Sequence, residues 1–182
     1  MKLRFWYKVH GKIDVCPSPA AWLDNLRPPV AGLTHDFQIR DGKWQKGVFG
    51  FETPSNPVVA EAWREAFGRE TLADPIIYVG RLLPGDEFFD WDGDGWEAEL
   101  RKWSETNCDH IIDHVRNTRQ TIFLDPIEVT LGEYKLARIC EQLCGFLARE
   151  TDGLIHVYQE GFFNAEGESI FPRCPKHRLK TS

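Results

Sequence analysis

The chain has 182 residues, of which 42% are hydrophobic and 27% are charged, a balance typical of one globular domain with a hydrophobic core. Its 28 acidic and 22 basic residues give a net charge of -6, which would repel nucleic-acid phosphates and favours a basic protein partner. The sequence shows neither an apolar run long enough to span a membrane nor a secretory signal pattern, so we expect a cytoplasmic protein without a membrane partner.

The N-terminal half contains strand, hairpin and helix signals in turn. Residues 2–10 alternate between apolar and polar side chains, which predicts a strand, and prolines bracket a short helix at residues 21–26. The pair Asp41-Gly42 separates two alternating runs and predicts a β-hairpin. A helix is predicted to begin at Pro57, and the apolar residues 76–79 predict a buried strand.

The C-terminal half is predicted to alternate helices with strands. Residues 96–115 have helical spacing, with a break near Asn107, and residues 122–124 form a short apolar strand. An amphipathic helix at residues 132–150 then leads into short strands between residues 154 and 171.

These elements predict an α+β fold with one domain at residues 1–171, in which a mainly antiparallel sheet with hairpins packs against three to four helices. Residues 172–182 form a basic tail that we expect to be frayed. Five cysteines without regular spacing predict free thiols in a reducing compartment, and Cys140 and Cys144 are predicted to lie in the core.

The stretch at residues 86–97 is rich in carboxylates and aromatic rings and contains no basic residue. Exposed tryptophan in such a setting is typical of a contact surface. Trp44 also lies among glycines and charges, so we expect it to be exposed as well. We predict a surface that binds a partner through the acidic and aromatic residues of this stretch: Asp86, Glu87, Asp90, Trp91, Asp92, Asp94, Trp96 and Glu97.

The same stretch contains half of a calcium-binding loop. Asp90, Asp92 and Asp94 are followed by Gly95, the spacing at which alternate carboxylates converge on one ion. The position that should hold the bidentate glutamate is Arg101, a cation. Three interpretations therefore remain open: a calcium site, a docking surface, and a solvated loop whose charge favours the start of the next helix.

His110 and His114 lie one helical turn apart, which is suitable for two ligands of one zinc ion. The alternative is that both histidines lie at the edge of the core, because the helical wheel places them near the apolar stripe. The H-E-x-x-H pattern of metalloproteases is absent, as are the phosphate-loop, dinucleotide and G-x-S-x-G motifs. We expect no cofactor, with calcium or zinc as the alternatives.

The C-terminal quarter of the chain, an amphipathic helix followed by residues 151–157 and then 160–164, resembles small bacterial α+β immunity proteins of polymorphic toxin systems. The resemblance implies a stoichiometric inhibitor that neutralises a basic toxin by covering its active site and performs no chemistry itself. The alternatives are a metal-dependent hydrolase or a calcium-binding module that uses the aspartate loop or the two histidines.

Overall fold

The computed structural model describes residues 7–52, 74–86, 108–127, 133–157 and 160–171, together with positions 58, 61, 65, 72, 100 and 101. The strands are β1 Tyr7–Gly11, β2 Leu33–Arg40, β3 Lys43–Phe51, β4 Asp74–Leu82, β5 Gln120–Pro126, β6 Gly153–Val157, β7 Gly161–Phe163 and β8 Ser169–Phe171. The helices are α1 Pro19–Asp24, α2 Asp109–Arg116 and α3 Glu133–Thr151.

All strands belong to one antiparallel sheet in the order β2-β3-β4-β5-β1-β6-β7-β8. This confirms the predicted α+β class. β1 lies in the middle of the sheet, where it pairs with β5 on one side and β6 on the other. The middle of the sheet therefore joins segments more than a hundred residues apart in the chain, as in the pairing of Tyr7 with Leu124.

The hairpin between β2 and β3 turns where the sequence predicts. Asp41 and Gly42 both have positive φ angles, 52° and 75°, which is the backbone of the two-residue turn whose twist matches that of antiparallel strands. Aspartate and glycine tolerate this conformation better than most residues, so the turn is a property of the local sequence.

One face of the sheet, here called the α3 face, is covered by α3 and α1. The pattern of alternate residues places Tyr7 and Val9 on this face, opposite Leu124 and Ile122 of β5. Cys140 and Cys144 of α3 are fully buried against it, as predicted, and burial raises the pKa of both thiols. The four cysteines within the described part of the chain are free: Cys16, Cys108, Cys140 and Cys144.

The opposite face, here called the α2 face, holds a smaller apolar cluster. Ile111 and Ile112 of α2 pack with Phe162 of β7, and Leu100 and Cys108 complete the cluster. Cys108 is the non-helical residue before the first turn of α2, which agrees with the break predicted near Asn107. Positions 100 and 101 are helical, and residues 102–107 lie outside the described residues.

The prediction that Trp44 is exposed was wrong. Its side chain is 3% exposed, and its indole lies edge-on to Trp22 and Phe37 in the core. The polar neighbours of Trp44 in sequence suggested a surface position, but in a strand the neighbouring side chains point to the other face of the sheet.

Several predictions fall outside the described residues. These are the start of the first strand at residues 2–6, most of the helix predicted after Pro57, and the tail at residues 172–182. Positions 58, 61 and 65 are helical. Among the described helices, none combines the length and the apolar character that a membrane crossing requires.

Candidate functional site

The acidic stretch predicted to bind a partner is described only at its first residue. Asp86 is exposed, and its Oδ2 accepts a 2.6 Å hydrogen bond from the backbone N–H of Leu83, which closes the turn after β4. The remaining predicted contact residues lie outside the described residues: Glu87, Asp90, Trp91, Asp92, Asp94, Trp96 and Glu97. The calcium hypothesis for Asp90, Asp92 and Asp94 therefore stays a prediction.

The two predicted zinc ligands lie in different environments. His110 is exposed, whereas His114 is 9% exposed and its Nε2 lies 2.9 Å from the carbonyl oxygen of His10. A carbonyl can only accept, so Nε2 of His114 carries the hydrogen and donates it. His114 thus matches the core-edge interpretation, and His110 does not. Within the described ranges, no three His, Cys, Asp or Glu side chains are grouped so that they could hold a metal ion.

The structure has a groove on the α3 face, with a cavity volume of about 510 Å³, between α3, the strands β1, β6 and β7, and the turn that joins β7 to β8. This volume is within the range of small-ligand sites in proteins. The residues that line the groove are Tyr7, Asn25, Glu141, Gln142, Gly145, Arg149, Ile155, Val157, Glu160, Phe163, Ala165, Glu166 and Gly167.

The strands form the floor of the groove. Ile155 and Val157 of β6 and Phe163 of β7 supply apolar surface, and Tyr7 of β1 supplies a phenol. Tyr7 is 7% exposed and lines the groove. Burial raises the pKa of Tyr7 above its usual range, and the nearby Glu141 and Glu160 raise it further, so the phenol is neutral at physiological pH.

One wall of the groove is a side of α3, and the other is the turn after β7. Glu141, Gly145 and Arg149 follow one another at intervals of one helical turn, so they lie along the same side of α3. A Cβ atom at Gly145 would lie 2.9 Å from the carbonyl oxygen of Ala165, so glycine lets the turn approach the helix. Nη1 of Arg149 donates to the same carbonyl oxygen at 3.4 Å.

The turn itself is held by Asn164. Its Oδ1 accepts from the backbone N–H groups of Glu166 and Glu168, at 3.1 and 2.8 Å. Its Nδ2 donates to Oε2 of Glu168 at 2.8 Å. These local hydrogen bonds define the wall that faces α3 before any ligand is present.

The charge of the groove is negative. Glu141, Glu160 and Glu166 are exposed at its rim, against the single guanidinium of Arg149. The arrangement therefore attracts a cation, while the apolar floor favours a ligand that also has hydrocarbon surface.

A second group of titratable side chains lies on the α2 face. His10 is 5% exposed, and its ring centroid lies 6.1 Å from that of His156, which stacks on Phe162 at 4.5 Å. Burial lowers the pKa of His10 and of His114, so both imidazoles are neutral at physiological pH. Neutral, packed imidazoles without a grouped third ligand in the described ranges are typical of structural histidines.

Sequence reasoning missed the groove because its residues come from distant segments of the chain. Tyr7 appears in the sequence as one apolar residue of a strand, and Glu141 as one polar residue of an amphipathic helix. Only the packing of α3 against β1 brings the two together. No protein family, curated protein or solved structure matches this chain.

Proposed function

We propose that this protein is a non-enzymatic binding protein that captures a basic protein, as an immunity-type inhibitor that neutralises a toxin by covering its active site. The observation that supports the proposal is the acid-rimmed groove with an apolar floor. Its three carboxylates are exposed and therefore available to a partner, and its one phenol is neutral.

The charge of the whole chain acts in the same direction. A net charge of -6 accelerates the approach of a basic partner, because complementary fields steer two proteins together before contact. Apolar surface inside the groove would then slow dissociation, since buried anchors dominate the energetics of interfaces. Together these properties suit stoichiometric capture.

Asp86, the described residue of the predicted contact stretch, lies apart from the groove. Leu82 of β4 pairs with Thr121, which pairs with His10, so Asp86 lies beyond one end of β1. Tyr7, at the floor of the groove, lies at the other end. The groove and the predicted contact stretch are therefore tested with separate variants.

The test is co-purification from the cells that encode the chain, followed by native mass spectrometry. We expect wild-type protein to retain one copy of a basic protein, and Glu141→Gln with Glu160→Gln to lose it. A second variant, with Trp91 and Asp92 replaced by alanine, tests the predicted contact stretch. If no other protein co-purifies with the wild type, the proposal is wrong.

The same spectra test the alternative functions. A bound metal ion on a lone chain would replace the proposal with a metal-dependent hydrolase or a calcium-binding module. The mass of the bound ion would distinguish calcium at Asp90, Asp92 and Asp94 from zinc at His110 and His114.

A further inference from the structure

We infer that the groove is a binding site for the cationic end of a basic side chain, a guanidinium or ammonium group carried on an aliphatic stem. The inference names the ligand chemistry of the groove. That the group belongs to a protein rests on the proposed function.

The floor of the groove suits the stem of such a side chain. Ile155 of β6 is buried, and Val157 and Phe163 are half-buried, so all three are packed into the sheet yet reach the cavity. The methylene groups of arginine and lysine pack on apolar surface while their charged ends remain with polar groups. A ligand without a stem would leave this floor unfilled.

Tyr7 supplies a polar contact at the bottom of the groove. The residue is more than nine-tenths buried and still lines the cavity. Because the phenol is neutral, it offers lone pairs to a donor as well as an aromatic face to a cation.

The carboxylates supply the charge. Glu141 on α3 and Glu160 before β7 both raise the pKa of Tyr7 and both line the groove, so the two carboxylates lie in the same region of it. A cation near Tyr7 would therefore feel two carboxylates. The guanidinium of Arg149 is held by the carbonyl oxygen of Ala165, at the wall formed by the turn.

The experiment uses purified full-length protein and two probes that differ in charge. The probes are Nα-acetyl-arginine methylamide and its neutral isostere Nα-acetyl-citrulline methylamide, with binding followed by isothermal titration and NMR. We expect the arginine probe to bind more tightly than the citrulline probe. Equal affinity of the two probes, or no binding of either, would overturn the inference.

Variants of the groove locate the site. Glu141→Gln combined with Glu160→Gln should weaken the arginine probe by about tenfold or more, the range expected for lost charge-assisted hydrogen bonds. Tyr7→Phe, which removes only the hydroxyl, should weaken it about threefold to tenfold. The matched control is Glu150→Gln on the same helix, which is exposed and does not line the groove, and should leave affinity unchanged. Equal weakening by the control would show unspecific attraction to an acidic protein and overturn the site.

The outcomes separate this inference from the proposed function. If the wild type and the double variant retain a basic partner equally, the proposed function holds and the groove assignment is wrong. If the arginine probe binds in the groove while the wild type captures no protein, the ligand chemistry holds and its source is a free small cation. The proposed function then fails.

Discussion

Trp22 of α1 and Trp44 of β3 donate their indole N–H groups to the same acceptor, the carbonyl oxygen of Pro17, at 3.2 and 2.9 Å. The two rings pack edge to face, with centroids 5.1 Å apart. This shared acceptor connects the segment before α1 to the hairpin at the edge of the sheet. Buried indoles require such a partner, because an unpaired N–H in the core is costly.

Trp44→Phe should lower the free energy of unfolding by about 1–3 kcal/mol, since it removes one buried hydrogen bond and part of the ring. Chemical denaturation followed by circular dichroism measures the change. Ile39→Thr is the control, because Ile39 is 69% exposed in the same hairpin and a β-branched replacement should change stability by less than about 0.5 kcal/mol. A similar loss in both variants would contradict the core position of Trp44.

The second prediction concerns Arg81, whose side chain is 2% exposed and contacts a carboxylate of Asp14. Its Nε donates to Oε1 of Gln120 at 2.6 Å. Arg81→Met should cost about 1–3 kcal/mol, because Gln120 would lose its buried partner. Lys43 binds the other oxygen of Asp14 at 2.9 Å from a half-exposed position, so Lys43→Met should cost less than about 1 kcal/mol. The reverse ranking in urea denaturation would contradict the burial of Arg81.

The third prediction isolates backbone strain at Gly42. Its φ angle is 75°, and a Cβ atom added there would meet no atom within 4 Å. Gly42→Ala should therefore destabilise the protein by about 1–2 kcal/mol through conformation alone. Gly42→Asn should cost less, because asparagine tolerates the left-handed region. Equal melting temperatures of the two variants would contradict the assigned turn.

The two histidines of α2 should contribute differently to the stability of the protein. His114→Ala removes a buried ring and its hydrogen bond to His10, and we expect a loss of about 1–3 kcal/mol. His110→Ala, at an exposed position, should change stability by less than about 0.5 kcal/mol. The zinc hypothesis predicts a different pattern, in which zinc raises the melting temperature of the wild type and either replacement abolishes that rise. Thermal denaturation with and without zinc distinguishes the two.

The buried imidazoles should make folding sensitive to acid. Burial lowers the pKa of His10 and of His114 in the folded protein, so below about pH 6.5 the unfolded chain binds protons that the folded chain does not. Lys8 and His156 oppose a charge on His10, and Lys12 opposes one on His114, whereas Asp152 favours it. The free energy of unfolding should therefore fall as the pH drops below about 6.5, by up to about 1.4 kcal/mol per pH unit for each imidazole.

Urea denaturation between pH 7.5 and 5.0 measures this slope. The variants His10→Gln and His114→Gln remove the titrating groups one at a time, and each should show a smaller loss than the wild type. Identical slopes would show that other groups control the acid sensitivity.

Local signals in the sequence predicted the elements that local physics controls. Asp41-Gly42 marked a turn because these residues tolerate positive φ angles, and the periodicity around Cys140 and Cys144 marked the buried side of α3. Trp44 was misplaced because its polar neighbours in sequence point away from it in the strand. His110 and His114 were treated as a pair because of their spacing, but the structure buries only one of them.

The sequence by itself determined the α+β class, the antiparallel hairpin and the acidic charge, because periodicity, turn chemistry and composition are properties of neighbouring residues. Only the tertiary structure decided the order of the strands and the groove. Tyr7, Glu141 and Phe163 line one groove because β1 lies between β5 and β6 and α3 packs against β1. Long-range contacts of this kind depend on the packing of the whole core. The candidate site is built from residues that become neighbours only when the sheet and α3 have packed together.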